Sequence, residues 1–341
     1  MKLPPIFTKY KDEIEAELHL NLAEFETPLY RMMRYHLGWE DELGNPSQGS
    51  GGKRLRPSLC LLACEASGSD AHRALPAAAA VELIHNFSLI HDDIQDGDPE
   101  RHHRPTVWKI WGKPQAINAG TAMRILANQA LFRLVQQGET LEKHLQAQRL
   151  LDLCTLRLIE GQYLDISFEN RIDIGLSDYL DMVAGKTAAL IACSLELGAL
   201  VGTSDPAFIN SFKTFGVNIG FAFQIRDDIL GIWGAPEKTG KSNGSDILRR
   251  KKSFPILYAL EKSTGKAHAE LVKIYQRDTV NDRDRDKVLN ILDGIRADEY
   301  AQQEADNYCN QAMSELVRLG ISPLLIESFN EIAEFLTNRD Y

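Results

Sequence analysis

From one end of this 341-residue chain to the other, apolar residues recur at three- and four-residue intervals. No run alternates apolar with polar as a half-buried strand does. That pattern restricts the fold to helices packed on helices. It predicts long helices over 10–38, 56–68, about 70–96, 115–137, 140–168, 177–201 and 205–233. Shorter ones follow over 247–264, 267–277, 283–293, 296–318 and 322–337. Loops rich in Gly, Pro and Ser separate them at 40–52 and 234–246. No linker stands out, so the expectation is one all-α domain over residues 1–341. With 44% hydrophobic residues there is ample material for its core.

Two stretches break the usual rules of helix composition. LIHNFSLIHDDIQD ends an apolar helix with Asp92, Asp93 and Asp96. Carboxylates at a helix C-terminus oppose its dipole, so a merely solvated face is a poor account of them. Asp92 and Asp96 are one turn apart on one face. A hard divalent cation with oxygen ligands, Mg²⁺ above all, would relieve their repulsion. His85 and Ser88 share the face of Asp92, and Arg101, His102 and Arg104 follow just beyond. Acids beside bases suggest a metal-bridged polyphosphate, with Arg forks taking the remaining oxygens. The second stretch, FAFQIRDDILG, repeats the design with Asp227 and Asp228. Two such acid pairs are expected to converge on one cavity.

The net charge is −10, and no basic stripe is interleaved with aromatics, so nucleic acid is not an expected partner. Five scattered cysteines lack a zinc pattern and suit buried thiols in a reducing cytoplasm. The first twenty residues are acidic and amphipathic, without an apolar signal core. The longest apolar stretch, 188–202, contains Glu196 and is too short to span a bilayer, so no membrane span is expected.

GGKRLRP at 51–57, LIHNFSLIHDDIQD at 83–96, RHHRPT at 101–106, GKTAAL at 185–190 and FQIRDD at 223–228 together resemble the trans-isoprenyl diphosphate synthase (polyprenyl synthetase) family. The resemblance implies a single helical bundle of the isoprenoid synthase type with a central substrate cavity, and a homodimer. It implies condensation of isopentenyl diphosphate with an allylic diphosphate. Asp92 and Asp96 would hold two Mg²⁺ ions with Asp93 in support, and Asp227, with Asp228 nearby, a third. Arg101, Lys186, Thr187, Gln224, Lys241 and Lys251 would bind the allylic diphosphate. Lys53, Arg56, His85 and His102 would bind isopentenyl diphosphate.

Two departures stand out. Gly231 occupies the place of a third acid in the second motif, and Asp246 is expected to supply compensating charge. His102 stands where a second Arg is usual, and Arg104 is expected to substitute. Phe87 and Ser88, five and four residues before Asp92, set the floor of the chain-length pocket. An aromatic at the earlier position alone resembles geranylgeranyl (C20) synthases, with farnesyl (C15) or C25 products as alternatives. A non-catalytic prenyl-diphosphate-binding partner subunit is the reading Gly231 keeps open. A terpene cyclase is disfavoured by the intact GGKRLRP. A di-iron bundle is disfavoured because it needs inward Glu and ExxH pairs.

Overall fold

A computed structural model describes residues 4–47, 52–169, 171–234 and 243–338. Among them the chain is helical almost throughout, as the spacing predicts. The helices run α1 Ile6–Lys9, α2 Lys11–Leu20, α3 Pro28–His36, α4 Leu55–Ala66, α5 Leu75–Asp96, α6 Val107–Trp111, α7 Lys113–Gln136, α8 Leu141–Phe168, α9 Leu176–Val183, α10 Ala189–Gly202 and α11 Pro206–Trp233. After these come α12 Ser245–Leu248, α13 Phe254–Lys262, α14 Gly265–Tyr275, α15 Asp282–Gly294, α16 Ala297–Arg318 and α17 Pro323–Asn338. Two short strands, β1 Glu100–Arg101 and β2 Arg104–Pro105, pair antiparallel just beyond α5, with Arg101 opposite Arg104.

Three expectations need correcting. The helix expected over 10–38 is two helices, α2 and α3, because Pro28 holds Thr27 extended (ψ 154°) and starts α3 afresh. The helix expected over 177–201 carries a π-helical turn at Ala184–Ala188, between α9 and α10. Counted through that turn, Leu176–Gly202 is 27 residues, long and apolar enough by length and composition to cross a membrane. Most of it is buried within the protein, as a core helix would be.

The residues group into two compact units, one of Pro5–Thr155 with Cys193–Asn210, the other of Leu156–Ala192 with Ser211–Tyr341. In the first unit, small residues let α5 and α7 approach closely. Ala77, Ala78, Ala80, Ala116, Ala119, Ala127 and Ala130 are all fully buried. At Gly120 a Cβ would meet the His91 ring at 2.5 Å, so His91 is a packing residue of that crossing. Gly198 of α10 likewise lies against the backbone of α4, where a Cβ would be 2.8 Å from the Cys60 carbonyl carbon.

In the second unit Tyr179, Met182, Val183, Ile225, Phe254, Leu257, Ala301 and Ala305 form one cluster. Ile232, Ile256, Leu271, Ile274 and Leu292 centre another. Each large apolar side chain so buried contributes roughly 2 kcal/mol relative to exposure. The π turn sits where α8 touches it backbone to backbone. A Cβ on Gly161 would lie 2.6 Å from the Gly185 carbonyl carbon, and one on Gly185 would lie 2.6 Å from the Arg157 carbonyl oxygen.

Candidate active site

In the first unit the acids close α5. Gly97 caps the helix in the left-handed conformation (φ 69°), its N–H donating to the Asp93 carbonyl. Asp92 is half-buried and Asp96 exposed, whereas Asp93 is 2% exposed. The Asp93 Oδ1 accepts from both Nε (2.9 Å) and Nη2 (2.7 Å) of Arg101 on β1. Burial raises the Asp93 carboxyl, against the pull of Arg101. Asp93 and Arg101 are therefore a fork pair that fixes the strand after the helix.

The GGKRLRP segment is built on Arg54, a residue not singled out in the sequence. It sits at φ 48° before α4 and is 3% exposed. Its guanidinium bridges Glu15 of α2 (2.7 Å) and Glu82 of α5 (2.8 Å). Positive φ is strained for a side chain this large, and two charge-assisted pairs offset it. This anchor sets Arg56 in the first turn of α4, where its Nη1 lies 3.2 Å from His85 Nε2. Arginine only donates, so that imidazole nitrogen accepts and His85 is neutral. Burial, then Arg56, Arg101, His36 and Arg54, hold His85 well below the usual histidine range.

Arg56 Nε is buried with no acceptor among the described residues. His36 at the end of α3 feels the same cations, and burial with Arg101, His102, Arg54 and Arg104 pushes it down to about 3. A buried donor beside histidines kept neutral by nearby cations is an environment short of an anion. His102 takes φ 51° in the turn and is exposed. Local desolvation, Arg101, His103 and Lys53 lower its ring. Arg104 is engaged elsewhere. It donates to the carbonyls of Glu40 (2.8 Å) and Tyr35 (3.3 Å) and lies 4.2 Å over the Tyr35 ring. The expectation that it replaces a second arginine is not met, because its guanidinium pins α3 to the hairpin.

Phe87 is buried, edge-to-face with His91 at 5.0 Å. Ser88, buried beside it, donates to the His85 carbonyl (2.8 Å).

In the second unit Asp228 is the hub. It is fully buried and accepts from Tyr179 Oη (2.7 Å), Phe254 N (2.9 Å), Lys251 Nζ (2.9 Å) and Gln224 Nε2 (3.1 Å). Four donors occupy its two oxygens, which makes it an organiser rather than an open ligand. The Gln224 Oε1 in turn accepts from Thr187 Oγ1 (2.7 Å) on the π turn. Lys186 donates to Asp165 of α8.

Burial alone would lower Lys251, but Asp228, Asp246 and Asp165 override it and raise its pKa. Asp227, beside Asp228, is half-buried. Lys241 lies outside the described residues. Sequence reasoning passed over Asp165 and Tyr179, because neither falls within a recognisable motif.

Three carboxylates (Asp165, Asp228 and Asp246) surround the Lys251 ammonium, and Asp165 also pairs with Lys186, an excess of negative charge. Yet among the described residues no cluster of three or more His, Cys, Asp or Glu side chains could hold an ion alone. An Mg²⁺ ion held by these carboxylates would draw its remaining ligands from phosphate oxygens and water.

The polyprenyl synthetase family model matches residues 40–292, taking in both acid segments. The chain belongs to this family. A geranylgeranyl diphosphate synthase of Mycobacterium tuberculosis is 40% identical over 312 residues, 91% of this chain and 87% of that one. A (2E,6E)-farnesyl diphosphate synthase of Mycobacterium bovis is 39% identical over 312 residues, 90% of this chain and 85% of that one. The crystal structure of a polyprenyl synthetase from Streptomyces coelicolor superposes with a TM-score of 0.89 at 35% identity, covering 97% of this chain and 98% of the other. The polyprenyl synthetase fold is all-α, and the chain is a trans-prenyltransferase of isoprenoid biosynthesis.

Proposed function

We propose that this polyprenyl synthetase is a magnesium-dependent enzyme that condenses isopentenyl diphosphate with allylic diphosphates, with geranylgeranyl diphosphate (C20) as product. The carrying observation is the difference in burial between neighbouring carboxylates. Asp93 and Asp228 are buried and committed to Arg101 and Lys251. Asp92 and Asp227 are only half-buried and Asp96 is exposed, and these three are the ones assigned to a metal-bound diphosphate.

In this reading the two units serve one reaction as a single catalytic domain, and three Mg²⁺ ions bind at Asp92, Asp96 and Asp227. Magnesium, when bound, supplies Lewis-acid stabilisation of charge on the departing diphosphate. Lys186, Lys251, Arg101, Thr187 and Gln224 orient that diphosphate, and their acid partners fix the cations beforehand, so little reorganisation is needed at the moment of reaction. The allylic C–O bond breaks, the isopentenyl double bond attacks the allylic carbon, and a proton leaves to the diphosphate. Arg56 and Lys53 hold the isopentenyl diphosphate. Its oxygens would satisfy the orphaned Nε of Arg56, and neutral His85 would donate through Nδ1.

The C20 product follows from Phe87 as floor, with small Ser88 one residue nearer the acids. One helical turn advances 5.4 Å, on the order of one isoprene unit. A farnesyl product is the second reading, favoured by the near-equal identity to synthases of both names. The test is to incubate purified protein with Mg²⁺, isopentenyl diphosphate and each allylic primer, then size the products. C20 from geranyl or farnesyl primers is expected. C15 alone would establish the second reading, and no elongation from any primer would leave only a non-catalytic partner subunit. The five free thiols accord with a cytoplasmic enzyme.

A further inference from the structure

The two acid segments of this chain differ in their third acid. On α5 a third carboxylate, Asp96, stands four residues after Asp92. On α11 the residue four after Asp227 is Gly231. The volume that a side chain there would use is already taken. A Cβ built on Gly231 would lie 2.5 Å from Cγ and 2.9 Å from Oδ1 of Asp246.

The arrangement is held from several sides. The Gly244 N–H donates to the Ile232 carbonyl (3.0 Å), and Ser245 Oγ to the Gly231 carbonyl (3.4 Å). Gly244 itself sits at φ 68° with Arg285 Cγ 2.8 Å from where a Cβ would be, so only glycine fits the turn. The Asp246 carbonyl accepts from Lys251 N (2.9 Å), folding the segment back on itself. As a result the 7%-exposed Asp246 points Oδ2 at Lys251 Nζ, 3.6 Å away, across from the 2.9 Å contact with Asp228.

We propose that Asp246 is the third acid of the second segment, delivered through space onto Gly231, and that it is a positioning residue holding Lys251 toward the diphosphate. This rests on the reading of Lys251 and Asp227 given above. A side chain at 231 and the Asp246 carboxylate exclude each other. Giving α11 the acid that α5 carries therefore damages the site unless Asp246 is removed as well.

The experiment compares the parent protein with Asp246→Asn, Gly231→Asp and the exchange Gly231→Asp with Asp246→Gly. Inorganic pyrophosphate binding in the presence of Mg²⁺ is measured by calorimetry. KM and kcat are taken for the allylic and isopentenyl substrates separately, and melting temperature reports the fold. Asp246→Asn keeps the shape and removes the charge. It should weaken pyrophosphate binding and raise the allylic KM by about tenfold, with the isopentenyl KM and the melting temperature nearly unchanged. Gly231→Asp should lose binding, and the exchange should recover part of it.

Unchanged pyrophosphate binding in Asp246→Asn, or a Gly231→Asp protein equal to the parent, overturns the proposal. Should the exchanged protein not fold, Asp246→Asn decides alone. A parent that binds no pyrophosphate with Mg²⁺ overturns the underlying site reading, and this proposal with it. A parent that binds normally beside a silent Asp246→Asn overturns this proposal only.

Discussion

Adjacent aspartates in this protein divide the labour. Asp227 is accessible while Asp228, next to it, is walled in by four donors. Replacing Asp228 with Ala would orphan Tyr179 and the Phe254 N–H and leave Lys251 only its longer contact with Asp246, costing about 3–5 kcal/mol. Asp227→Ala should leave the urea unfolding midpoint close to that of the parent and still abolish turnover. Urea unfolding alongside product assays separates the two. If both variants were equally stable, Asp228 would not be the hub. Histidines give a second residue-scale prediction. His36, held down to about 3, stays neutral when folded, whereas in the unfolded chain it takes up a proton below about pH 6.5. The unfolded state then binds more protons, so stability falls as pH drops from about 6.5, by up to about 1.4 kcal/mol per pH unit. His36→Gln should flatten part of that slope between pH 7 and 5, before carboxylates titrate. An unaltered slope would mean that His36 is not protected from protonation.

Among elements, α5 carries the most function. Its C-terminal end bears Asp92 and Asp96, its middle bears His85, and Phe87 and Ser88 lie between. Truncating Phe87 to Ala should open the space toward Ile84 and shift the product up by about one isoprene unit, one helical turn's worth. Chromatography of the dephosphorylated alcohols reads this directly, and an unchanged chain length would place the floor elsewhere. Such elements were legible because their chemistry is local: periodicity reports a helix, and carboxylates against a dipole report a ligand. The break between α2 and α3 was readable from Pro28 but was outweighed by continuing periodicity. The π turn was not readable, since it arises where Gly161 and Gly185 bring two backbones together from distant parts of the sequence. The partners Glu15, Glu82, Asp165 and Tyr179 were hidden for the same reason. Each becomes functional only through a contact that sequence spacing does not encode. Motif reading picked out the cations proposed to meet substrate, and the fold revealed the acids that pair with them.

For the whole molecule, the exposed apolar residues are unevenly distributed. Ile117, Ile125 and Phe132 are each about half exposed and recur at eight and seven residues, so they share one face of α7. On α8, Leu156, Ile159, Tyr163 and Ile166 follow at three- and four-residue steps, with Leu145 and Leu153 earlier in the same helix. Scattered apolar residues need no explanation, but helical stripes of this length point to a partner. A second copy of the chain is the simplest occupant, because an isologous contact needs no further protein. Stable interfaces of this kind remove roughly 1,600 Å² from solvent or more, a demand that two long helices per protomer can meet. In sedimentation velocity at micromolar concentration the protein should therefore run at twice the 38.3 kDa chain mass. Changing Phe132 and Leu156 to Glu together should place charges in that interface and shift the population to monomer, while far-UV circular dichroism stays helical. A parent protein that sediments as a monomer at every concentration would leave these stripes without an occupant and refute the dimer.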